Sequence, residues 1–393
     1  MAFSSLRAVF AVLVLWLAGL GAAAQFAKIA VPFSSVRALY PEAGDELGWL
    51  LSLISLLGVI FGMAAGVIVS TFGCRRLLFL ALILGAAVSF WQAMLPGLLP
   101  MLVSRVIEGA SHLMIVVAAP TLIAQVSANR YRSLAMTLWS TFFGVSFAVV
   151  AWIGLPFVEA FGLSRFLFGH GLFMSLIAGL LLVSATPRGV ASTSSSAPMH
   201  VGTVWRRHVA AYRSPSISAP AIGWFFYTLT FVALLTILPD LLPDEDRLEV
   251  AGWMPLASIA VALLVVSPLL TVLSATTIVM IGFLAAAGVI VILMAGMPVS
   301  LACITLFAVL GLVQGASFAA VPELNRTLEA QAVSNGAMAQ LGNLGNTLGT
   351  PILLIIQSQL GVTGMLFAVL ATYLIGCFAH VVLAHLRHKR LSD

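Results

Sequence analysis

The sequence predicts an all-α membrane protein of twelve transmembrane helices in two six-helix bundles. Three observations carry that expectation: scarce charge, a succession of bilayer-length apolar runs, and one long polar interruption near the middle. Of the 393 residues, 61% are hydrophobic and only 8% are charged, with a mean hydropathy of +1.13. Soluble domains carry roughly a quarter charged residues. A surface this poor in polarity needs lipid as its solvent.

A spanning helix needs about 20 apolar residues. Runs of that kind, broken by charge or by Pro, Gly and Ser clusters, place six helices at 8–32, 47–71, 76–96, 98–126, 132–157 and 163–185. A second set follows at 218–240, 250–270, 274–295, 298–322, 333–358 and 361–385. Helix one resembles a secretory signal, with Arg7, an apolar run and then Ala22-Ala23-Ala24. Cleavage there would leave an odd number of spans, so the segment is taken as a retained helix. The polar interruption at 186–216 separates an N-terminal bundle (1–185) from a C-terminal bundle (217–393). Its Ala191–Ser196 stretch has the composition of a flexible linker, and Trp205-Arg206-Arg207-His208 fits a short amphipathic helix on the cytoplasmic leaflet.

The net charge of +5 invites a nucleic-acid reading, but its distribution argues for topology instead. Arg7, Arg75, Arg76, Arg130, Arg132, Arg188, Arg206, Arg207, Arg213, Arg326, Arg387, Lys389 and Arg390 fall at the ends or loops of one side. Glu42, Asp45, Glu46, Glu159, Asp240, Asp244, Glu245, Asp246 and Glu249 collect on the other. This positive-inside asymmetry puts both termini in the cytoplasm of a multi-pass inner-membrane protein. Cys74, Cys303 and Cys377 have no metal-ligand spacing, and no cofactor, metal site or nucleophile motif is expected. Nor does any Gly-rich loop with a Lys supply an ATP motor.

The halves echo one another. Glu108-Gly109-Ala110-Ser111 in the fourth span matches Gln314-Gly315-Ala316-Ser317 in the tenth, and Pro120 and Pro322 follow them. Ala135-Met136 and Ala337-Met338 open the fifth and eleventh spans. Matches about 200 residues apart suggest an internal duplication.

Over its whole length the chain resembles the major facilitator superfamily of secondary transporters. The resemblance rests on the loop after the second span, Gly66-Val67-Ile68-Val69-Ser70-Thr71-Phe72-Gly73-Cys74-Arg75-Arg76, and on Arg105-Val106-Ile107-Glu108-Gly109 in the fourth. The glycines and terminal arginines fit the family pattern, while Ser70 and Thr71 replace its acidic and basic members. The Gly-Pro motif of drug/proton antiporters is poorly matched by Gly144 and Gly154-Leu155-Pro156. The resemblance implies six plus six helices, alternating access, and a central cavity lined in part by the first and fourth helices.

Ionisable groups inside a bilayer cost a few kcal/mol at mid-depth and mark functional sites by default. Arg105, Glu108 and His112 share one helical face by their i, i+3, i+7 spacing. Lys28 lies at a similar depth to Arg105. The functional reading makes Lys28, Arg105 and His112 receivers of an anionic substrate and Glu108 the proton-coupling group. The plainer reading has Arg105 and Glu108 neutralise each other as a helix lock, with Lys28 reaching outward past Phe33.

Trp224 and Tyr227 in the seventh span, Gln314 in the tenth and Asn343 in the eleventh complete the expected substrate-binding set. Gln314 sits where Glu108 falls in the first half, so the second half offers hydrogen bonds without charge. Gly345 with Gly349, and Gly58 with Gly62 and Gly66, are small-residue faces for close helix approach. In the resembled fold these two helices meet across the halves. His170, His380 and His385 are expected to pack or to lie at interfaces.

The expected activity is movement of a small organic anion, such as a carboxylate, with protons, by a monomer in the lipid bilayer. The alternatives are proton-driven efflux of amphipathic drugs or metabolites and, in a different class, a non-transporting scaffold. A scaffold has no need of Lys28, Arg105 and Glu108 at matched depth. An enzyme would need a His, Ser or carboxylate constellation that the sequence lacks.

Overall fold

The computed structural model describes residues 2–62, 73–184, 186 and 212–392. The segment Gly66–Phe72 of the loop motif, the Ala191–Ser196 linker and the basic stretch at 205–208 lie outside the described residues. The chain forms two compact units, Met1–Thr193 and Ser194–Asp393.

Unit one contains α1 (Ala2–Ala30), α2 (Gly44–Gly62), α3 (Cys74–Ala93), α4 (Leu98–Val126), α5 (Phe142–Phe161) and α6 (Leu163–Val183). Unit two contains α7 (Pro215–Leu241), α8 (Asp244–Leu269), α9 (Ala275–Met294), α10 (Val299–Leu324) and α11 (Leu328–Ser392). Among the described residues, eleven helices are long and apolar enough to cross a membrane. That is one fewer than the sequence predicts. The expected spans 333–358 and 361–385 lie in one apolar stretch, Val333–Lys389, of 57 residues. At 1.5 Å per residue it is far longer than the ~30 Å hydrocarbon layer. Two helices meet there at Gly361, whose φ of 69° and ψ of −176° no helix contains.

The fifth expected span also shifts. Helix Asn129–Ser140 precedes it and ends at a turn at Thr141, so the apolar crossing is Phe142–Phe161 rather than 132–157. A π-helical turn at Val150–Gly154 interrupts it. Gly162, at φ 85°, turns the chain directly into α6, a conformation that favours glycine.

In lipid no water-exclusion force drives helix against helix, so close packing and polar contacts must hold them. Unit one packs α1 against α4, α5 and α6, and packs α3 against α4 and α6. Its core alternates small and branched residues: Leu15, Ala18, Ala22, Leu78, Ala81, Leu82, Ile115, Ala118, Ala119 and Ile177 are buried. Gly109 of α4 lets the α2 backbone approach, since a Cβ there would lie 2.3 Å from the Ile54 carbonyl oxygen. In unit two, α11 packs along α7. Cβ atoms added at Gly345 and Gly349 would meet Thr228 Oγ1 at 2.2 Å and the Leu229 carbonyl at 2.0 Å. The glycine face expected to serve a seam between halves is thus filled by α7 of its own unit.

Charged side chains finish several helix ends. Arg75, at the start of α3, donates to the carbonyls of Leu181, Leu182 and Thr186, stabilising the electron-rich end of α6. Glu323 accepts from the Ala275 amide at 2.8 Å, and Ser274 accepts from Thr277 N at 3.2 Å, so both cap α9.

Candidate functional site

The backbone of α1 positions the site. Gly19, Gly21 and Ala22–Ala24 leave its carbonyls open to neighbouring side chains. Three successive carbonyls each take one from a different helix: Leu20 from Ser146 of α5 at 3.0 Å, Gly21 from His170 of α6 at 3.1 Å, and Ala22 from His112 of α4 at 3.0 Å. Successive helical residues point about 100° apart, so α1 becomes a post to which three neighbours are pinned. The small residues that look like a cleavage site are buried at this post.

One turn further on, Lys28 meets α4. Its side chain is fully buried, as are Arg105 and Glu108. Lys28 Nζ donates to Glu108 Oε1 at 2.5 Å, and Arg105 Nη1 donates to Glu108 Oε2. Gln92 Nε2 of α3 also donates to Oε2, at 2.9 Å. One carboxylate therefore bridges two cations, and the i, i+3 spacing of Arg105 and Glu108 makes one arm of that bridge. Arg105 Nε donates to the Leu50 carbonyl of α2 at 2.7 Å, while its buried Nη2 has no acceptor among the described residues. Ser52 Oγ, Ser55 Oγ and Gln92 Oε1 are also buried without partners among the described residues. An outward-reaching Lys28 is excluded.

His112, expected beside Glu108, turns away. Its Nδ1 donates to Ala22, and Phe26 stands edge-on to the ring with centroids 5.0 Å apart. His170, expected to be a packing residue, is the one that joins the cluster. Its Nδ1 lies 2.8 Å from Ser89 Oγ and 3.4 Å from Lys28 Nζ, and Lys28 also donates to Ser89 at 2.7 Å. Nothing local in sequence signals this, because His170 and Lys28 are 142 positions apart. Ser89 and Gln92, one turn apart on α3, were likewise unmarked. Gly85 on the same face admits the Gln25–Ser111 hydrogen bond of 2.8 Å, since a Cβ there would come within 2.7 Å of both side chains.

In unit two, Tyr227 and Ser258 donate to Gln314 Oε1 at 3.2 and 2.9 Å. Gln314 on α10 thus accepts from α7 much as Glu108 on α4 accepts from α1, without charge. Trp224 stacks on Tyr227 at 4.7 Å and meets Phe318 edge-on at 4.8 Å. Trp224, Tyr227 and Gln314 are therefore brought together. Asn343 is not joined to them by a hydrogen bond: its Nδ2 donates to the Ala339 carbonyl of its own helix at 2.7 Å.

Among the described residues no group of three or more His, Cys, Asp or Glu side chains is arranged to hold a metal ion. Against known families, the model of the Major Facilitator Superfamily matches residues 15–350. No curated protein matches the chain.

Proposed function

Because the chain belongs to the Major Facilitator Superfamily, and is thus a multi-pass secondary transporter of small solutes, we propose that it moves a small organic anion together with protons by alternating access. The observation that carries this reading is the Glu108 carboxylate held between the Lys28 and Arg105 cations. Two buried cations share one anion, and Arg105 keeps a buried donor, Nη2, without an acceptor among the described residues. Glu108 acts as a resident anion. Protonating it removes its hold on both cations, which then receive the carboxylate of the solute. The ionised Glu108 carboxylate competes with the solute for the same two cations, so the solute is held well only once Glu108 is protonated, and the solute's charge in turn offsets the two uncompensated cations that protonation leaves. That mutual requirement is symport.

Lys28 and Arg105 bind the anion, and Glu108 carries the proton. His112 orders α1 against α4 and contributes to the solute site through its ring. Trp224, Tyr227, Gln314 and Asn343 supply ring faces and neutral hydrogen bonds. The proposed architecture has twelve spans, with α11 crossing on either side of Gly361, in two bundles of six (1–185 and 217–393) joined by a cytoplasmic linker at 186–216. Both termini face the cytoplasm of a cell inner membrane, and the transporter works as a monomer.

A second reading, export of amphipathic compounds, draws on the aromatic stack of Trp224, Tyr227 and Phe231, whose last two rings lie 4.8 Å apart. Uptake into proteoliposomes decides between them. An organic acid found by thermal-shift screening is compared under a pH gradient and in counterflow, for wild type and Glu108→Gln. Screening that returns only amphipathic cations or neutral compounds would overturn the anion reading.

A further inference from the structure

We propose that His170 is a positioning residue that holds the Lys28 ammonium on Glu108 as a neutral acceptor; this rests on the reading of that cluster as the transport site. The geometry sets its protons. The Gly21 carbonyl, 3.1 Å from His170 Nε2, only accepts, so Nε2 carries the hydrogen. Nδ1 is then left with its lone pair, and it faces Lys28 Nζ at 3.4 Å and Ser89 Oγ at 2.8 Å. An ammonium has three N–H donors. Lys28 has three acceptors: Glu108 Oε1, Ser89 Oγ and His170 Nδ1. With Ser89 accepting from Lys28, its own hydrogen goes to the Gly85 carbonyl or to His170 Nδ1, each 2.8 Å away, and in either case Nδ1 serves only as an acceptor.

A proton on Nδ1 would break that arrangement. It would face Lys28, with Arg105 on the far side of Glu108, and one carboxylate would then serve three cations. The branch is therefore a clamp rather than a proton path. When Glu108 is protonated, Ser89 and His170 keep the ammonium where the solute finds it. His170 is itself fixed by a backbone carbonyl of the post helix α1, so the clamp ties the charge on α1 to α6.

The chain has only two lysines, Lys28 and Lys389, so Lys389→Arg leaves Lys28 as the single side-chain ammonium in a lysine-labelled protein. The experiment records the ¹⁵Nζ resonance of Lys28 and the solvent exchange of its protons in lipid nanodiscs. Variants are made in that background. Asn at 170 keeps an acceptor near the place of Nδ1; Leu fills similar space without one. Exchange in His170→Leu is expected to quicken by about tenfold or more, the effect of losing one hydrogen bond to a charged group, with a displaced resonance. In His170→Asn it should stay within about threefold of the parent. If His170→Leu does not unfold cooperatively, His170→Met takes its place. An unmoved resonance in the apolar variant overturns the proposal, and so does an equal change in both variants. The readout needs no solute, so failure of anion transport and failure of the clamp are told apart.

Discussion

Deleting the charges at Lys28 and Glu108 singly and together gives a result that charge counting predicts and simple contact counting does not. Glu108→Gln leaves Lys28 and Arg105, both fully buried, with no counter-charge. Removing one partner of a buried ion pair costs about 3–5 kcal/mol, and the new amide still accepts one hydrogen bond, offsetting about 1 kcal/mol. The net loss is about 3 kcal/mol, a large part of a typical total stability of about 5–15 kcal/mol. Lys28→Met instead leaves Arg105 paired with Glu108 and removes a donor from Glu108, Ser89 and His170. That costs about 1–3 kcal/mol.

In the double variant only Arg105 remains charged, and the repulsion between two unpaired cations is gone. It should be more stable than Glu108→Gln, although Lys28→Met is destabilising in the wild-type background. The coupling should be about 2 kcal/mol or more, beyond the ~0.5 kcal/mol within which independent sites add. Reversible unfolding in mixed micelles measures all four corners of the cycle. Additivity would refute the argument, as would a larger loss for Lys28→Met than for Glu108→Gln.

Backbone contacts make a separate test: Gly109→Ala and Gly349→Ala press a methyl onto the Ile54 and Leu229 carbonyls. Each should cost about 1–3 kcal/mol or more, whereas Gly179→Ala, with open space around it, should be close to neutral in the same unfolding assay. Reporter fusions at Asp393 and within 240–249 should report opposite sides of the membrane; the same side for both would end the twelve-span topology.

Much of unit one was legible because it depends on spacing within one helix. The i, i+3 pair Arg105 and Glu108 could be read directly, and Lys28 joined it by depth alone. The Gln314 counterpart was legible through the repeated Gly-Ala-Ser motif, and its partner Tyr227 through sharing the expected cavity face. What spacing does not give is the direction of a side chain once several acceptors are in reach. His112 lies on the correct face of α4, yet the open carbonyl of Ala22 takes its donor. His170 sits on a helix with no other signal, and only the packing of α6 on α1 brings it to Lys28.

The glycine stripe of α11 was correctly read as a contact face, but sequence does not say which helix fills it. The break at Gly361 was placed within a residue or two as a boundary between spans. That the two helices abut there across a single non-helical glycine, with no loop between them, is a backbone fact with no apolar-pattern signature.

The central claim is that Glu108 is the resident anion whose protonation couples solute to proton. Its most direct test compares counterflow with pH-gradient-driven uptake of the same organic acid in proteoliposomes of wild type and Glu108→Gln. Gln at 108 imitates the permanently protonated acid, so the cations stay open to the solute but no proton is carried. The account predicts that counterflow persists, that its affinity no longer varies with pH, and that accumulation against a gradient is lost. Gradient-driven accumulation that survives in Glu108→Gln would contradict it.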